Sequence, residues 1–307
     1  MTEANTHLGL CAACRGPLQL RFPSVVDPNT RERFPILACS ECGLGQISPQ
    51  PADLSPYYAE TYYGGRHGFT ANHCLRRRTR WVDSLFGAGE NRKLLDIGCG
   101  DGSFLLAAQQ QGWRGVGTEM NPEPARETGL DVFPDVASAA ALGPFDCITL
   151  WHSLEHVRDP SAILRDCKKI LKPGGVLLIA VPDAGGLEAR TFGARWFHLD
   201  VPRHLFHFTR KSLASVLRAA GFAGLRSWHQ EFEYDLLGWS QSALNAMGFP
   251  PNLFFHALTG RKLNVGKAEV VVNWVLGAAF SALALPLVPL AALLGRGGTL
   301  IVAAKPE

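Results

Sequence analysis

Short apolar runs alternate with segments of helical spacing between residues 91 and 235. Four runs indicate buried parallel strands: KLLDI, GVGTE, FDCITLW and VLLIAVP. The segments with helical spacing are SFLLAAQQQG, PSAILRDCKKILKPGG and TRKSLASVLRAAGF. A weaker strand is expected at residues 130–133, and TLIVAAK near the end predicts one last strand. Alternating strand and helix predicts an α/β fold with a doubly wound parallel sheet.

The rest of the chain differs in composition and suggests five consecutive regions. They are a cysteine-containing module at 1–56, a connector at 57–90 that holds Tyr62, Tyr63 and a basic run, the alternating domain at 91–235, an apolar helical insert at 236–296, and the last strand at 297–307.

Composition narrows the class of protein. The chain has 307 residues, 47% of them hydrophobic, and a net charge of +3, so no global field favours nucleic acid. The first ten residues, MTEANTHLGL, lack the basic and apolar regions of a secretory signal. Four of the eight cysteines form two close pairs. Without a secretion signal such pairs favour metal over disulfides, so we expect a cytoplasmic protein.

A glycine-rich turn follows the first strand of the alternating domain. Gly98, Gly100 and Gly102 have the spacing G-x-G-x-G, which differs from the G-x-G-x-x-G of dinucleotide sites. Asp96 and Asp101 flank the turn. Two carboxylates would repel a pyrophosphate, but they suit a ligand with an ammonium and a sulfonium. S-adenosylmethionine (SAM) has both groups.

An acidic residue, Glu119, closes the second strand, where a carboxylate can accept both hydroxyls of a ribose. The run D-I-G-C-G-D-G with this acidic strand end resembles motifs I and II of class I SAM-dependent methyltransferases. The resemblance implies a Rossmann-like fold and a SAM site that includes Cys99, as a small filler, and Met120. It also implies that the loop after the third strand holds adenine, with Asp135 as the candidate. A bare tight turn and a solvated loop aspartate are the alternatives.

The segment after the fourth strand contains W-H-S-L-E-H-V-R-D-P. It resembles a signature of small-molecule methyltransferases, including relatives of the ubiquinone-biosynthesis O-methyltransferase. Methyl transfer needs alignment of the nucleophile and removal of its proton, and histidine suits the second task. His152 and His156 are therefore base candidates, unless they serve to cap the next helix or pin the loop. Trp151 either lines the cofactor pocket or packs in the core.

The segment after the fifth strand, residues 195–209, is dense in aromatic, histidine and arginine side chains. Its W-F-H-L-D-x-P-R-H-L pattern resembles methyltransferases that have an N-terminal cysteine-pair region and occur in polysaccharide or glycolipid contexts. The resemblance implies that Trp196, Arg203 and His204 contact the substrate, and His204 is a third candidate for the base. The alternative is a structural lid fixed by internal hydrogen bonds.

Cys11-x-x-Cys14 and Cys39-x-x-Cys42 each place two thiolates on one tight knuckle. Two knuckles complete a tetrahedron, so we expect a Zn(Cys)₄ ribbon. Four cysteines leave no open position for a substrate, which makes the zinc structural. The ribbon serves either to recognise a substrate or partner, or as a folded cap.

The apolar insert has no charged residue between 270 and 295, although Asn273, Pro286 and Pro289 interrupt it. The strand that follows must rejoin the sheet, so a single membrane span does not fit. One hypothesis is that residues 262–296 lie peripherally on the inner face of a membrane, because Arg261, Lys262 and Lys267 precede the uncharged stretch and Arg296 follows it. The alternative is a helical hairpin packed on the domain or on a second subunit.

These observations favour SAM-dependent methylation of a small-molecule, glycan or lipid-linked hydroxyl. A zinc-bearing sugar C-methyltransferase is a close relative. Another hypothesis is a zinc-containing ribosomal RNA methyltransferase, in which Arg76–Arg80 would bind RNA phosphates. The alternative for this basic run is a solvated helix face. The third reading is a zinc-ribbon adaptor whose SAM domain is degenerate and not catalytic. Near-balanced charge argues against nucleic acid, and the oligomeric state does not follow from the sequence.

Overall fold

A computed structural model describes residues 8–58, 70–86, 91–229, 231–260 and 265–307. Four residues named in the sequence predictions lie outside these ranges: Tyr62 and Tyr63 of the connector, and Arg261 and Lys262 beside the apolar insert. The chain divides into two compact units, each built from three segments. The cysteine unit comprises Met1–Tyr62, Pro182–Val216 and His229–Leu300, and the sheet unit comprises Tyr63–Val181, Leu217–Trp228 and Ile301–Glu307. This division differs from the five consecutive regions suggested by composition.

The sheet unit is built on a seven-stranded sheet. Its strands are β4 (Lys93–Ile97), β5 (Arg114–Thr118), β6 (Asp131–Phe133), β7 (Phe145–Trp151), β8 (Leu171–Pro182), β10 (Phe222–Trp228) and β11 (Thr299–Pro306). Their order is β10-β11-β8-β7-β4-β5-β6. The strands from β8 to β6 are parallel, whereas β10 and β11 pair antiparallel. The predicted doubly wound sheet is therefore confirmed for the parallel strands from β8 to β6, and the antiparallel pair at the other edge makes the sheet mixed.

Strand β4 lies at the centre, with β5 on one side and β7 on the other. The chain runs outward from β4 through β5 to β6, then returns to the opposite side for β7 and β8. The carboxyl ends of β4 and β7 therefore flank the point where the strand order reverses. In open α/β sheets, ligands bind in the crevice at this point.

The helices among the described residues of the sheet unit are α1 (Ala71–Phe86), α2 (Ser103–Gln109), α3 (Glu123–Arg126), α4 (Val136–Ala139) and α5 (Pro160–Ile170). Of these, α2 and α5 lie in segments with the predicted helical spacing. The start of α5 shows why: Oδ1 of Asp159 accepts the N–H of Ala162 at 2.9 Å, and Pro160 occupies the first helical position. Leu94, Leu105 and Cys147 are fully buried in the core of this unit.

The cysteine unit contains a four-stranded antiparallel sheet in the order β1-β2-β3-β9. Its strands are β1 (Leu18–Val26), β2 (Arg33–Cys39), β3 (Gly45–Ile47) and β9 (Phe206–His207). Its core packs Phe34, Ile36 and Ile47 against Trp196 and Leu199. The chain after β8 thus supplies both a strand and core side chains to the unit that holds the cysteines.

The remaining helices are α6 (Leu187–Phe192), α7 (Arg210–Ala219), α8 (Phe232–Ala246), α9 (Leu253–Leu258), α10 (Lys267–Ala284) and α11 (Leu287–Leu293). Within the described residues, α10 is the one helix whose length and apolar composition would allow it to cross a membrane. Its inner side packs closely: a Cβ on Gly277 would lie 2.5 Å from the Phe254 ring, and the hydroxyls of Ser240 and Ser281 are 2.7 Å apart.

Candidate active site

The glycine turn after β4 is held in the left-handed region at three positions. Gly98, Gly100 and Gly102 have φ of +74°, +59° and +77°. A Cβ on Gly98 would lie 2.7 Å from Cβ of Ser153, whereas a Cβ on Gly100 would meet nothing within 4 Å. The turn therefore needs glycine at Gly98 for packing, while Gly100 faces open space that a ligand can enter.

Glu119 joins this turn to the end of β5. Its Oε2 accepts the N–H of Gly100 at 2.9 Å, and its Oε1 accepts the N–H of Met120 at 2.9 Å. The structure thus brings the predicted glycine and acidic positions together. Each carboxylate oxygen keeps a further lone pair that a ribose hydroxyl can use.

Asp96 is buried at the end of β4. Thr149, on β7, donates its hydroxyl to Oδ1 of Asp96 at 2.6 Å. Burial raises the pKa of the Asp96 carboxyl to about 7, although the Thr149 hydroxyl and the Arg78 charge oppose the shift. Asp96 therefore joins two strands beneath the turn. Asp101 instead is exposed and accepts the N–H of Ser103 at 3.0 Å, at the start of α2.

Trp151 packs in the core at the end of β7, which favours the second of its two predicted roles. Its ring lies 5.5 Å from that of Phe104 and 6.0 Å from that of Trp81. The Arg78 guanidinium lies 4.8 Å from the Trp151 ring centroid. Arg78 is buried, whereas Arg76 and Arg80 are exposed. The prediction that this basic run forms a solvated helix face was therefore wrong at Arg78. The sequence did not distinguish Arg78 from the rest of the basic run and did not indicate Thr149, since no local pattern sets either residue apart.

The segment after β7 carries the two histidine candidates of this unit. His152 is buried with φ of +52°, and its Nδ1 lies 3.7 Å from Oε1 of the buried Glu155. His156 is half-buried at the end of a short 3₁₀ turn. The Ser153 hydroxyl donates to the Ile97 carbonyl oxygen at 2.7 Å. This bond holds the histidine segment beside the end of β4.

Two further cofactor candidates have structural roles. Asp135 is exposed and caps α4, since its Oδ1 accepts the N–H of Ser138 at 2.7 Å, and this bond lowers the pKa of its carboxyl. Cys99 is buried, and burial raises the pKa of its thiol. Its Sγ would lie 2.6 Å from a Cβ on Gly117, so it fills space against β5. Contact of either residue with adenine or SAM stays a prediction.

Arg203 is buried in the cysteine unit and bonded to three partners. Its Nη2 lies 3.1 Å from Oδ1 of Asp27 and 2.5 Å from Oδ1 of Asp200, and its Nη1 donates to the Tyr57 carbonyl oxygen at 3.1 Å. These contacts favour the alternative of a segment fixed by internal hydrogen bonds. A substrate contact of Arg203 stays a prediction.

His204 and Trp196 also lie within the cysteine unit. Nδ1 of His204 is 2.8 Å from the His198 carbonyl oxygen, and its Nε2 is 3.8 Å from Oδ2 of Asp200. Trp196 is buried in the core beside Leu199. Both side chains are thus well fixed, and their predicted contacts with substrate remain predictions.

The four paired cysteines meet in the same unit, with all four Sγ atoms within 4.8 Å of one another. Sγ of Cys11 lies 3.5 Å from that of Cys42, and Sγ of Cys14 lies 3.4 Å from that of Cys39. Thiolates about 2.3 Å from one zinc ion would be about 3.8 Å apart in a tetrahedron, close to these separations.

Backbone groups support the cysteine cluster. Sγ of Cys39 accepts the N–H groups of Glu41 and Cys42 at 3.4 and 3.5 Å, and Sγ of Cys11 accepts that of Ala13 at 3.3 Å. Burial alone would raise the pKa of the Cys39 thiol, but these N–H groups and the Cys14 thiol lower it to about 7. At Cys39 these donors favour the thiolate, which is the form that binds metal, whereas burial raises the pKa of the Cys11 and Cys42 thiols.

A family model described as a methyltransferase domain matches residues 70–227, about half of the chain. A ubiquinone biosynthesis O-methyltransferase of Pseudomonas entomophila is 36% identical over 110 residues, which cover 32% of this chain and 47% of the relative. The protein of that name from Actinobacillus pleuropneumoniae is 36% identical over 154 residues, 45% of this chain and 66% of the relative. The chain therefore matches between about half and two thirds of these relatives' length.

Among solved structures, the phosphoethanolamine N-methyltransferase 2 of Haemonchus contortus, in complex with S-adenosyl-L-methionine, is similar with a TM-score of 0.52. It is 14% identical, and the match covers 95% of this chain and 70% of that one. At this identity the likeness shows the fold alone, a Rossmann-like α/β methyltransferase fold.

Proposed function

We propose that this chain, which belongs to the methyltransferase-domain family, is a SAM-dependent methyltransferase that methylates a hydroxyl oxygen of a small-molecule, glycan or lipid-linked acceptor. The observation that carries the proposal is the bond between the Gly100 N–H and Oε2 of Glu119 beside open space. The relatives named as O-methyltransferases support oxygen as the acceptor atom.

The residues fit SAM at the carboxyl ends of β4 and β5. The Gly98–Gly102 turn leaves room over Gly100, and Glu119 offers carboxylate oxygens toward a ribose. Asp96 supports the turn from within the sheet, because its hydrogen bond with Thr149 joins the end of β4 to β7. When bound, SAM supplies a methyl group on a sulfonium, which is already activated for in-line displacement.

A histidine is the candidate for removing the acceptor proton, because its pKa lies near neutrality. In the sheet unit, the Glu155 carboxylate lies 3.7 Å from Nδ1 of His152, where it can orient the ring. His156 follows on the same segment, and His204 is the candidate in the cysteine unit. The imidazole would take the hydroxyl proton, which would leave the acceptor oxygen able to accept the methyl group that SAM supplies.

We further propose that Cys11, Cys14, Cys39 and Cys42 hold one structural zinc ion. The separations between their Sγ atoms and the backbone donors to sulfur support a tetrahedral thiolate site. A zinc ion there would fix the loops that precede β1 and β3, and four thiolates would leave no position for substrate.

Methyl transfer is tested with SAM labelled in its methyl group, purified chain and fractionated bacterial extract, with products analysed by mass spectrometry. We expect label on the oxygen of a small-molecule or glycan fraction. Glu119→Gln should remove the label, because an amide cannot accept from both the Gly100 and Met120 N–H groups. Glu123→Gln is the matched control, since Glu123 is exposed and pairs with Arg126.

Three results would contradict the proposal in distinct ways. Label on RNA would favour a zinc-containing ribosomal RNA methyltransferase. Label on carbon would favour a sugar C-methyltransferase. Absence of SAM binding in calorimetry at millimolar ligand would favour an adaptor with a degenerate domain.

A further inference from the structure

Helix α10 exposes apolar side chains over half of its circumference. With about 100° of rotation per residue, the exposed positions cover an arc of about 180°. They are Val271, Val272, Trp274, Val275, Ala278, Ala279, Ala282 and Leu283. Val275 is 64% exposed and Leu283 is 67% exposed. An ordinary helix of a soluble domain has its apolar stripe turned inward, so α10 has the opposite arrangement.

Beyond its first turn, α10 carries its asparagine and serine side chains on its inner side. Asn273 is buried, and the Ser281 hydroxyl is 2.7 Å from that of Ser240 on α8. On the outer half, the Trp274 indole N–H is the one side-chain group that needs a hydrogen bond, and tryptophan is a residue that places such a group at the wet edge of a membrane interface. An interface with a protein has a polar rim and a set of hydrogen bonds, whereas the acyl region of a bilayer offers none.

The apolar surface continues onto α11. Leu290 is 50% exposed and Leu293 is 85% exposed, while Val288 and Ala291 on the other side are buried. After α11 the chain returns to the seven-stranded sheet as β11. The surface formed by the outer sides of α10 and α11 is called here the apolar face.

Exposed basic residues border the apolar face. Lys267 begins α10 and Arg296 follows α11, and both are exposed. The exposed Arg210 has its Nη2 3.3 Å from the position of a Cβ on Gly295. The acidic residues near them are Glu269, in the first turn of α10, and the buried Asp183, whose carboxyl interacts with the charges of Arg210 and Arg296. The balance is positive, which suits the headgroups of anionic lipids.

We propose that the apolar face docks the enzyme in the surface layer of an anionic lipid bilayer, with α10 and α11 lying in the plane of the interface. A fluid of acyl chains can cover a half-cylinder, whereas a second copy of the chain covers a narrower stripe. The return of the chain to β11 excludes a single crossing. This inference rests on the surface of α10 and α11, so its failure leaves the methyl transfer untouched.

The test is flotation of the full chain with vesicles of phosphatidylcholine mixed with phosphatidylglycerol, and with vesicles of phosphatidylcholine alone. We expect flotation with the anionic vesicles that weakens at high salt. The triple variant Val275→Glu, Leu283→Glu and Leu293→Glu should lower the bound fraction by about tenfold or more. These positions are exposed, so the fold tolerates glutamate there. The matched control is Leu20→Glu, at an exposed leucine of β1.

Light scattering and SAM calorimetry on the same proteins complete the design. We expect the triple variant to bind SAM as the parent chain does. Absence of flotation by the parent chain overturns the proposal, as does equal flotation of the triple variant. A parent chain that is dimeric, becomes monomeric in the triple variant and ignores vesicles would assign the apolar face to a second copy instead.

Discussion

The Thr149 hydroxyl donates to Oδ1 of Asp96 over 2.6 Å, between two strands whose ends border the proposed SAM site. Both side chains are buried, so the bond replaces water that the carboxyl would otherwise have. The carboxyl that begins the D-I-G-C-G-D-G run thus supports the turn from within the sheet. It makes the turn sensitive to the protonation of one buried group.

Asp96→Asn should remove part of the pH dependence of stability. The pKa of Asp96 is about 7 in the folded chain, against about 4 in an unfolded one. The folded state therefore binds the proton more tightly, so this group's stabilising contribution is fully present below about pH 4 and is lost as the pH rises toward 7. The loss should be at most roughly 4 kcal/mol. Urea unfolding at about pH 5 and about pH 8 measures the difference between parent and variant.

Asp135→Asn is the control for this pH dependence. The pKa of Asp135 is lowered by the Ser138 N–H, so its contribution has the opposite sign and is lost as the pH falls. Burial raises the pKa of Asp183 to about 6, so Asp183 also makes stability depend on pH. This contribution is the same in the parent chain and in both variants. An unchanged slope in Asp96→Asn would show that Asp96 is not the titrating group.

Gly100→Ala should impair SAM binding while it spares the fold. A Cβ there meets nothing within 4 Å, so the cost is the left-handed backbone alone, about 1 kcal/mol. The methyl group would occupy the space that faces the ligand. Gly98→Ala should instead destabilise the chain, because its Cβ would collide with Ser153. Thermal unfolding and SAM calorimetry separate the two effects.

Gly174→Ala is the matched control for Gly100→Ala. Gly174 has φ of +77° and open space around a Cβ, so it carries the same backbone cost away from the turn. SAM affinity should be unchanged. Equal loss of affinity in Gly174→Ala and Gly100→Ala would mean that backbone strain, rather than blocked space, causes the defect.

His156→Gln and His152→Gln should separate the base from the orienting residue. Loss of a general base lowers kcat by about 10²- to 10⁴-fold without weakening SAM binding. We expect this result for one of the two histidines. His73→Gln, on the exposed side of α1, is the control. Near-normal kcat in both variants would transfer the role to His204, whose variant is then the next measurement.

Cys14→Ser should reduce bound zinc from one ion per chain and destabilise the cysteine unit. Cys14 is the least buried of the four ligands, so serine at this site disturbs packing least. Elemental analysis by mass spectrometry gives the zinc content. Cys74→Ser, at a buried cysteine of α1 outside the cluster, should keep its zinc. A parent chain purified without zinc, and unable to bind it, would refute the site.

Arg203→Ala should destabilise the chain by about 3–5 kcal/mol, because it leaves the carboxylate of Asp27 buried without its cation. Denaturant unfolding measures the change. Arg33→Ala is the control, since Arg33 is exposed and bonds Ser24 on the neighbouring strand. A raised KM with unchanged stability would instead support the predicted contact with substrate.

Local patterns predicted much of the sheet unit. The strands around Asp96 and Glu119, the glycine turn and the start of α5 at Asp159 all follow from short stretches of sequence. Each depends on strand or helix periodicity or on turn chemistry between near neighbours. The pairing of β10 with β11 did not follow, because strand direction depends on where distant segments meet.

The site illustrates the same division. Arg76–Arg80 have similar local surroundings in sequence, yet only the structure distinguishes the buried Arg78 from the exposed Arg76 and Arg80. Arg203 and Asp27 are 176 residues apart, and no local signal indicates that their charges pair.

By itself, the sequence determined which residues make the glycine turn, which acid ends the second strand and which cysteines come in pairs. Those features are local, since backbone geometry and residue spacing act over a few positions. Tertiary structure decided which charges are buried, which strands face each other and which side of α10 meets solvent. These outcomes depend on contacts between distant segments, whose free energy is gained only when the whole chain is folded.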